Sequence, residues 1–434
     1  MMNGDDSDVG NVRLPPKFSL RDILEYASKG STRSEVNSTG TSISPKWYMR
    51  SQLGLPEKRS GSFQSFRRRV IRKRLQNLRV SWRHRVPFMP SNASGISAMS
   101  IDPVDNRYLL CGACNGDLSI VDLEQPLLKD TTKPVEHSVI SGRSRGNHRY
   151  RVNCCQWFPQ YTSSFLTSST DKTMKLWDTN RFKVVDEYEF VGVPVYFHWC
   201  PSPSYRCLIA VASMSSNIDL IDPRAGDSMQ NLRWKSEGIS SVQWSAEHDN
   251  FLLSGGKNGS LFLWDVRSTR SPLKILQSGQ DNAHSTCVSG IRFSDDGLYA
   301  VSISYDQVIR VWRTHTMEST STIKLPARQS QMKDILTIHF DVFCDDGVLR
   351  ACIPLDDQIL LLSLDANIEE TRSLLVGHFH TVNACLYRKS FNQVISSSND
   401  RMVLIWSPAM DEELPDQKSV VVHSLQEDEW SDED

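Results

Sequence analysis

A turn that keeps returning along the chain restricts what it can fold into. At Thr167-Ser168-Ser169-Thr170-Asp171-Lys172-Thr173-Met174-Lys175-Leu176-Trp177-Asp178 a strand-like run meets a polar turn carrying Ser and Asp, and the next run ends on Trp six residues after the Asp. The frame recurs from Asn258 to Trp264, Asp306 to Trp312 and Asp400 to Trp406, with weaker copies from Asn115 to Val121, Ser215 to Ile221 and Asp357 to Ser363. The closing positions step by about 43 to 56 residues, the period of a four-stranded unit. One such unit leaves both sheet faces bare. About seven of them packed in a ring bury those faces and leave only short edges, so the expected fold is all-β, a seven-bladed propeller.

The repeat carries its own polar set. His148 stands four residues before a strand at Val152, followed by Ser169, Asp171 and Trp177; His284, Ser304, Asp306 and Trp312 repeat the set, as do His378, Ser398, Asp400 and Trp406. Donors and acceptors of these types can form a chain inside one blade, a latch. Ser, His and Asp also compose a hydrolytic triad, but a triad is one site, and three copies at blade period are architecture. Burying a Trp of ~150–250 Å² contributes about 4–6 kcal/mol, against ~1 kcal/mol for a hydrogen bond. The tryptophans therefore hold the blades and the polar atoms select their geometry. The unit ending at Trp264 has Gly256 and Asn258 but no placed His, so its latch should be incomplete.

The ten cysteines are scattered through apolar runs, as reduced core thiols of a cytosolic or nuclear protein would be. Cys111-Gly112-Ala113-Cys114 lacks a second ligand pair and reads as strand and turn rather than metal or redox site. No phosphate-binding loop, dinucleotide fingerprint, zinc-protease helix or nucleophile elbow is present. The sequence calls for no metal, no cofactor and no catalytic residue, and no run of about 18 apolar residues proposes a membrane span. Binding, rather than catalysis, is the economical reading.

Four segments follow. Residues 1–44 are polar and Gly/Ser-rich, a disordered extension. Residues 45–82 form a helical arm in which Phe63, Phe66, Val70, Ile71, Leu75 and Leu78 recur at three- and four-residue steps. From Arg67 to Arg85 no acidic residue occurs, so the other face is dense in arginine. Import signalling and phosphate binding need only those charges, and a solvated helix face on the propeller needs nothing more; a helix laid in a partner's groove uses the apolar stripe as well, and that reading is preferred. Residues 83–410 are the propeller, with the first repeat starting near Gly95. The tail cannot close the ring, because only Ser407 and Pro408 separate Trp406 from an acidic stretch, so a strand near 85–89 is expected to complete the last blade beside 399–406. Long polar stretches at 128–147, 265–283 and 325–334 are expected as rim loops. Residues 411–434 are an acidic tail in which Trp430 is an anchor that a purely solvated tail does not need.

The Trp177-Asp178 and Trp264-Asp265 pairs identify a WD40-repeat chain. The stretch 95–110, His148-Arg149-Tyr150 with Val152 and Gln156-Trp157, the stretches 168–180 and 261–267, and the ending with Trp430-Ser431-Asp432-Glu433 resemble the Cockayne syndrome group A family from about Trp47 onward. The resemblance implies a nuclear substrate receptor of a cullin-RING ubiquitin ligase in transcription-coupled nucleotide excision repair. Its arm and one propeller face would dock on the large damaged-DNA-binding adaptor subunit. The opposite side would meet the Cockayne syndrome group B ATPase, stalled RNA polymerase II and the UV-stimulated scaffold protein. Carried over by motif, the docking box is Trp264, Asp265, Val266 and Arg267, with Arg267 the exposed contact and a degenerate copy ending at Arg224. Phe63, Phe66, Val70, Ile71 and Leu75 would dock through the arm, so Arg267→Glu, or Val70→Asp with Leu75→Asp, should abolish adaptor binding while the propeller stays folded. The arm's arginine content is heavier than the family leads one to expect and leaves room for nucleic-acid contact. The competing readings are a chromatin propeller that takes histone peptides in its central channel and a nucleic-acid binder that uses 67–74.

Overall fold

The structure is a computed structural model, describing residues 70–81, 84–85, 94–124, 135–136, 139–141, 147–201, 207–213, 215–225, 227–233, 238–268, 270–278, 281–326, 337–345, 347–365 and 372–408. Seven antiparallel sheets follow one another around a ring. Blade 1 is built from Ile96–Ile101, Tyr108–Ala113, Leu118–Asp122 and Val139–Ser141, and blade 2 from Val152–Trp157, Ser164–Ser169, Thr173–Asp178 and Lys183–Glu189. Blades 3 to 6 begin at Pro194–Trp199, Ile239–Trp244, Val288–Phe293 and Asp341–Asp345. Blade 7 runs Val382–Arg388, Gln393–Ser398 and Val403–Pro408.

Position in the blade explains composition. The second strands lie under sheet on both faces and are mostly apolar or small, as in Ile209–Ser213 and Ser164–Ser169, every residue of which is buried. The outermost strands Lys183–Glu189 and Glu318–Lys324 alternate, because only one side meets the next blade. The stretches 128–147 and 265–283, read as rim loops, each contain the outer strand of their blade, Val139–Ser141 and Lys274–Ser278.

The ring closes through the N-terminal side, but not with the expected residues. Leu78–Val80 forms the outer strand of blade 7, with Leu78 opposite Pro408 and Val80 opposite Trp406. His84–Arg85 instead pairs in parallel with Val135–Glu136. The cause lies one turn upstream, where a helix over 70–76 ends as the Asn77 N–H bonds to the Lys73 carbonyl, delivering Leu78 directly onto the open edge. Ile71, Leu75 and Leu78 are buried there with Phe343, Tyr387 and Trp406. The expectation that Ile71 and Leu75 present a free stripe to a partner is therefore overturned: their partner is the seam between blades 6 and 7. Val70 is half-buried, while Phe63 and Phe66, like the extension 1–44 and the tail 411–434, lie outside the described residues.

Inner strands are joined blade to blade by a device the repeat does not advertise. Six of the seven first strands, in all but blade 6, carry a bulge near their start. Such a bulge turns a side chain toward the neighbouring blade. Ser97 Oγ donates to the Val152 carbonyl at 2.6 Å, Asn153 Nδ2 to Pro194 at 3.0 Å and Ser240 Oγ to Val288 at 2.6 Å. Asn383 Nδ2 donates to Ile96 at 2.7 Å and ties blade 7 to blade 1.

Candidate functional site

The two faces of the ring use aspartate in opposite ways. On one face lie the turns between second and third strands together with the loops entering each blade. In blade 2, His148 Nδ1 lies 2.9 Å from Asp171 Oδ2, and His148 Nε2 lies 2.8 Å from Thr167 Oγ1. Trp177 Nε1 donates to the same hydroxyl at 2.9 Å. Blade 5 repeats this with His284, Asp306, Ser302 and Trp312, and blade 7 with His378, Asp400, Ser396 and Trp406.

The His, Asp and Trp of each predicted latch therefore meet, but the hydroxyl between them is not the predicted one. Ser169, Ser304 and Ser398 sit two residues further on, where each receives the N–H of the latch aspartate and donates to a carbonyl of the entering loop. Register decides between the two. Thr167 pairs with Lys175, one diagonal step from Trp177 on the same face, and so reaches the indole. In blade 4 Trp264 Nε1 donates to Ser254 at 2.9 Å, with no histidine partner for Ser254 among the described residues.

Hydroxyl, imidazole and carboxylate in this order form the hydrogen-bond chain of a hydrolytic triad. These three copies are disarmed by position, because Thr167, Ser302 and Ser396 are fully buried and already receive a Trp N–H. Burial works against the charge of Asp171, yet hydrogen bonds from His148, Thr173 and the Arg149 N–H outweigh it and hold the carboxyl well below the usual range. Burial lowers the His284 and His378 imidazoles, with Asp306 and Asp400 offsetting part of that effect.

The opposite face carries the ends of the third strands. There Arg267 grips Asp265 with Nε at 2.9 Å from Oδ1 and Nη2 at 2.7 Å from Oδ2, and its own N–H closes the turn at 3.0 Å. The Arg267 side chain is 61% exposed and that of Asp265 16%, while Trp264 is fully buried beneath them. Arg224 makes the same fork on Asp222 at 3.1 Å through both nitrogens. Blades 3 and 4 are joined at this point by Gln230 Nε2, which donates to the Val266 carbonyl at 3.3 Å. The Arg267 hydrogen bonds hold the Asp265 carboxyl below its ordinary value. Each arginine is fixed by its own aspartate with an edge left toward solvent, an arrangement suited to a partner's carbonyls or carboxylates. Arg107 forms a third fork on Asp122, at 2.9 and 2.7 Å. Sequence reading missed it because its two members are 15 residues apart and no W-D-x-R motif spans them. The helix over 70–76 enters on this same face, since Leu78 lies opposite Pro408 at the far end of its strand.

The central channel is crossed by the chain's own side chains. Arg292 of blade 5 donates to the Tyr196 hydroxyl of blade 3 and, through Nε, to the Phe340 carbonyl at 3.0 Å. His339, just before blade 6, bonds through Nε2 to the Asn153 carbonyl of blade 2 at 2.8 Å. Burial pushes Asp341 up to about 6 and, with Arg292 nearby, lowers His339 to about 3. A histone tail would have to displace these struts, which counts against the channel as a peptide site. Among the described residues no group of His, Cys, Asp and Glu is placed to hold a metal ion.

Residues 141–178, 226–265, 272–313 and 369–407 match the WD domain, G-beta repeat family. The chain is similar to the WD repeat-containing protein ATCSA-1 of Arabidopsis thaliana, 22% identical over 85% of this chain and 96% of that protein. It is 27% identical to Radiation-sensitive protein 28 of Saccharomyces cerevisiae over 41% of this chain and 40% of that protein. A ribosome biogenesis protein WDR12 homolog of Anopheles gambiae is 29% identical over 38% of this chain and 37% of that protein.

Proposed function

We propose that this WD40-repeat protein is the substrate-recognition subunit of a nuclear cullin-RING ubiquitin ligase acting in transcription-coupled nucleotide excision repair. It docks on the large damaged-DNA-binding adaptor subunit through the face that carries Arg224 and Arg267. The observation behind this reading is the pair of exposed, aspartate-locked arginines on adjoining blades, because a guanidinium fixed before binding loses little entropy on meeting a partner. Similarity along most of the length of ATCSA-1, and a second relative named for radiation sensitivity, agree with a repair setting.

On this reading the latch face is left for clients: the Cockayne syndrome group B ATPase, stalled RNA polymerase II and the UV-stimulated scaffold protein. The arm contributes differently from the sequence expectation. Ile71 and Leu75 seat the helix on the ring, and Arg72, Lys73 and Gln76 are its exposed residues. Co-purification from ultraviolet-treated nuclei tests the proposal: the wild-type chain should bring down the adaptor and cullin, and Arg224→Glu with Arg267→Glu should bring down neither. Equal recovery by both would refute the docking face. A nucleic-acid reading rests on those exposed arm cations, and it requires affinity that falls steeply with salt and depends on Arg72 and Lys73.

A further inference from the structure

The latch loops also determine what the face above them shows to solvent. In blade 2 the loop after His148 presents Arg149 and Tyr150, and the turn after Asp171 presents Lys172; in blade 7 the corresponding positions present Phe379, His380 and Arg401. Phe379 is 86% exposed and Tyr150 62%. The acidic members of both latches point inward, with the Asp171 and Asp400 side chains 8% and 7% exposed. Asp117, between them, is held by Asn115 and Asn147. No carboxylate among the described residues pairs with Arg149, Lys172 or Arg401. The two groups belong to one surface, because the turn of blade 1 touches both neighbours. Cys114 bonds to Asn399 of blade 7, and Gly116 packs on the His148 and Tyr150 carbonyls of blade 2. The result is an arc across blades 7, 1 and 2 that combines exposed aromatics with unpaired cations.

We infer that this arc is the docking site of the chain's own segment 427–434, Glu427-Asp428-Glu429-Trp430-Ser431-Asp432-Glu433-Asp434. The complementarity runs in charge and in kind. The segment carries six carboxylates and no cation around a single Trp, and the arc offers cations around Tyr150 and Phe379. An indole stacks on such a ring or on a guanidinium group, and carboxylates form charge-assisted bonds with the cations. Reach is sufficient. The chain leaves blade 7 at Pro408 on the box face, and the intervening residues 409–426 span up to about 60 Å, roughly three times the depth of a six-residue strand. This inference is independent of adaptor docking, which uses the opposite face.

The test places p-benzoylphenylalanine at position 430 of the full chain, followed by irradiation and mass-spectrometric mapping. The expected product is a single-chain adduct linking 430 to peptides carrying 149–151, 379–380 or 401. Its yield should fall about tenfold in the doubly substituted Arg149→Glu, Arg401→Glu chain and at about 0.5 M salt. Both substitutions lie on exposed side chains, and an unchanged unfolding midpoint would verify that the fold survives them. Adducts joining two chains would assign the segment to a second copy, and adducts elsewhere or insensitive to charge reversal would remove the arc as its site; each overturns the inference.

Discussion

The latch face and the box face both set an aspartate beside a basic side chain at a turn, yet the two pairings do opposite jobs. Asp171 and His148 are buried together, and their bond matters because neither has water as an alternative partner. The Arg267 guanidinium lies in solvent over a mostly covered Asp265, where an ion pair contributes little to stability, so its free edge is available to something outside the chain. Burial, not residue type, separates a pairing that holds the fold from one left open to solvent.

The largest departure from that rule would come at the arm. Leu75→Asp puts a carboxylate into the seam that holds Phe343 and Trp406, and it should destabilise the ring by about 3–5 kcal/mol in chemical denaturation. A loss of adaptor binding in that variant would then report unfolding, not a lost contact. If Leu75→Asp left the denaturation midpoint unchanged, the arm's apolar stripe would return to the list of partner surfaces.

Next is Asp171→Ala, which strands the His148 Nδ1–H and the Arg149 and Thr173 N–H groups. Its expected cost is about 2–3 kcal/mol, whereas Arg267→Glu, on an exposed side chain, should leave stability close to wild type. Comparable costs would erase the distinction between the faces.

Acid should probe the same contrast. His284, His378 and His339 are held below their ordinary values when folded, so the unfolded chain takes up their protons first, and stability falls as pH drops below about 6.5. His339 alone contributes a loss of about 2 kcal/mol by about pH 5. Asp171 acts lower, its contribution disappearing only below the usual carboxylate range. Asp341, held up to about 6 when folded, works the other way and offsets part of this loss; unfolding midpoints measured from about pH 7 to 4 should still decline, and a His339→Gln chain should decline less steeply than wild type.

The smallest effect belongs to Lys172 in the latch turn of blade 2. Lys172 and Arg401 adopt φ of 70°, and Gly259 holds the equivalent place in blade 4 at 82°. Lys172→Gly should leave stability unchanged or raise it by up to about 1 kcal/mol. Gly259→Ala should lower it, since the new Cβ would lie 2.0 Å from the His284 carbonyl oxygen.

What could be read in the chain was what repeats. Three spaced copies of His, Asp and Trp gave the ring, the blades and most of each latch. Thr167 and Ser169 are indistinguishable until strand register selects one, and register is a property of the pairing, not of the residue. Ser97 and Ser240 look like ordinary strand serines because the bulge that aims them at the next blade has no composition of its own. The closing strand was misplaced because Leu78 also fits the helical spacing of Ile71 and Leu75, and an apolar stripe states that it must be covered without naming the cover. On the box side, the Arg224 and Arg267 forks followed from a contiguous motif, whereas the Arg107 fork required the fold.

The central claim, that the box arginines form an interface and carry none of the ring's stability, is tested most directly by titrating purified adaptor subunit against wild type and an Arg224→Glu, Arg267→Glu chain while recording thermal unfolding of both. The account predicts an affinity loss of about a hundredfold with unfolding temperatures that coincide. Undiminished affinity in the double variant, or an affinity loss that merely tracks a lowered unfolding temperature, would contradict it.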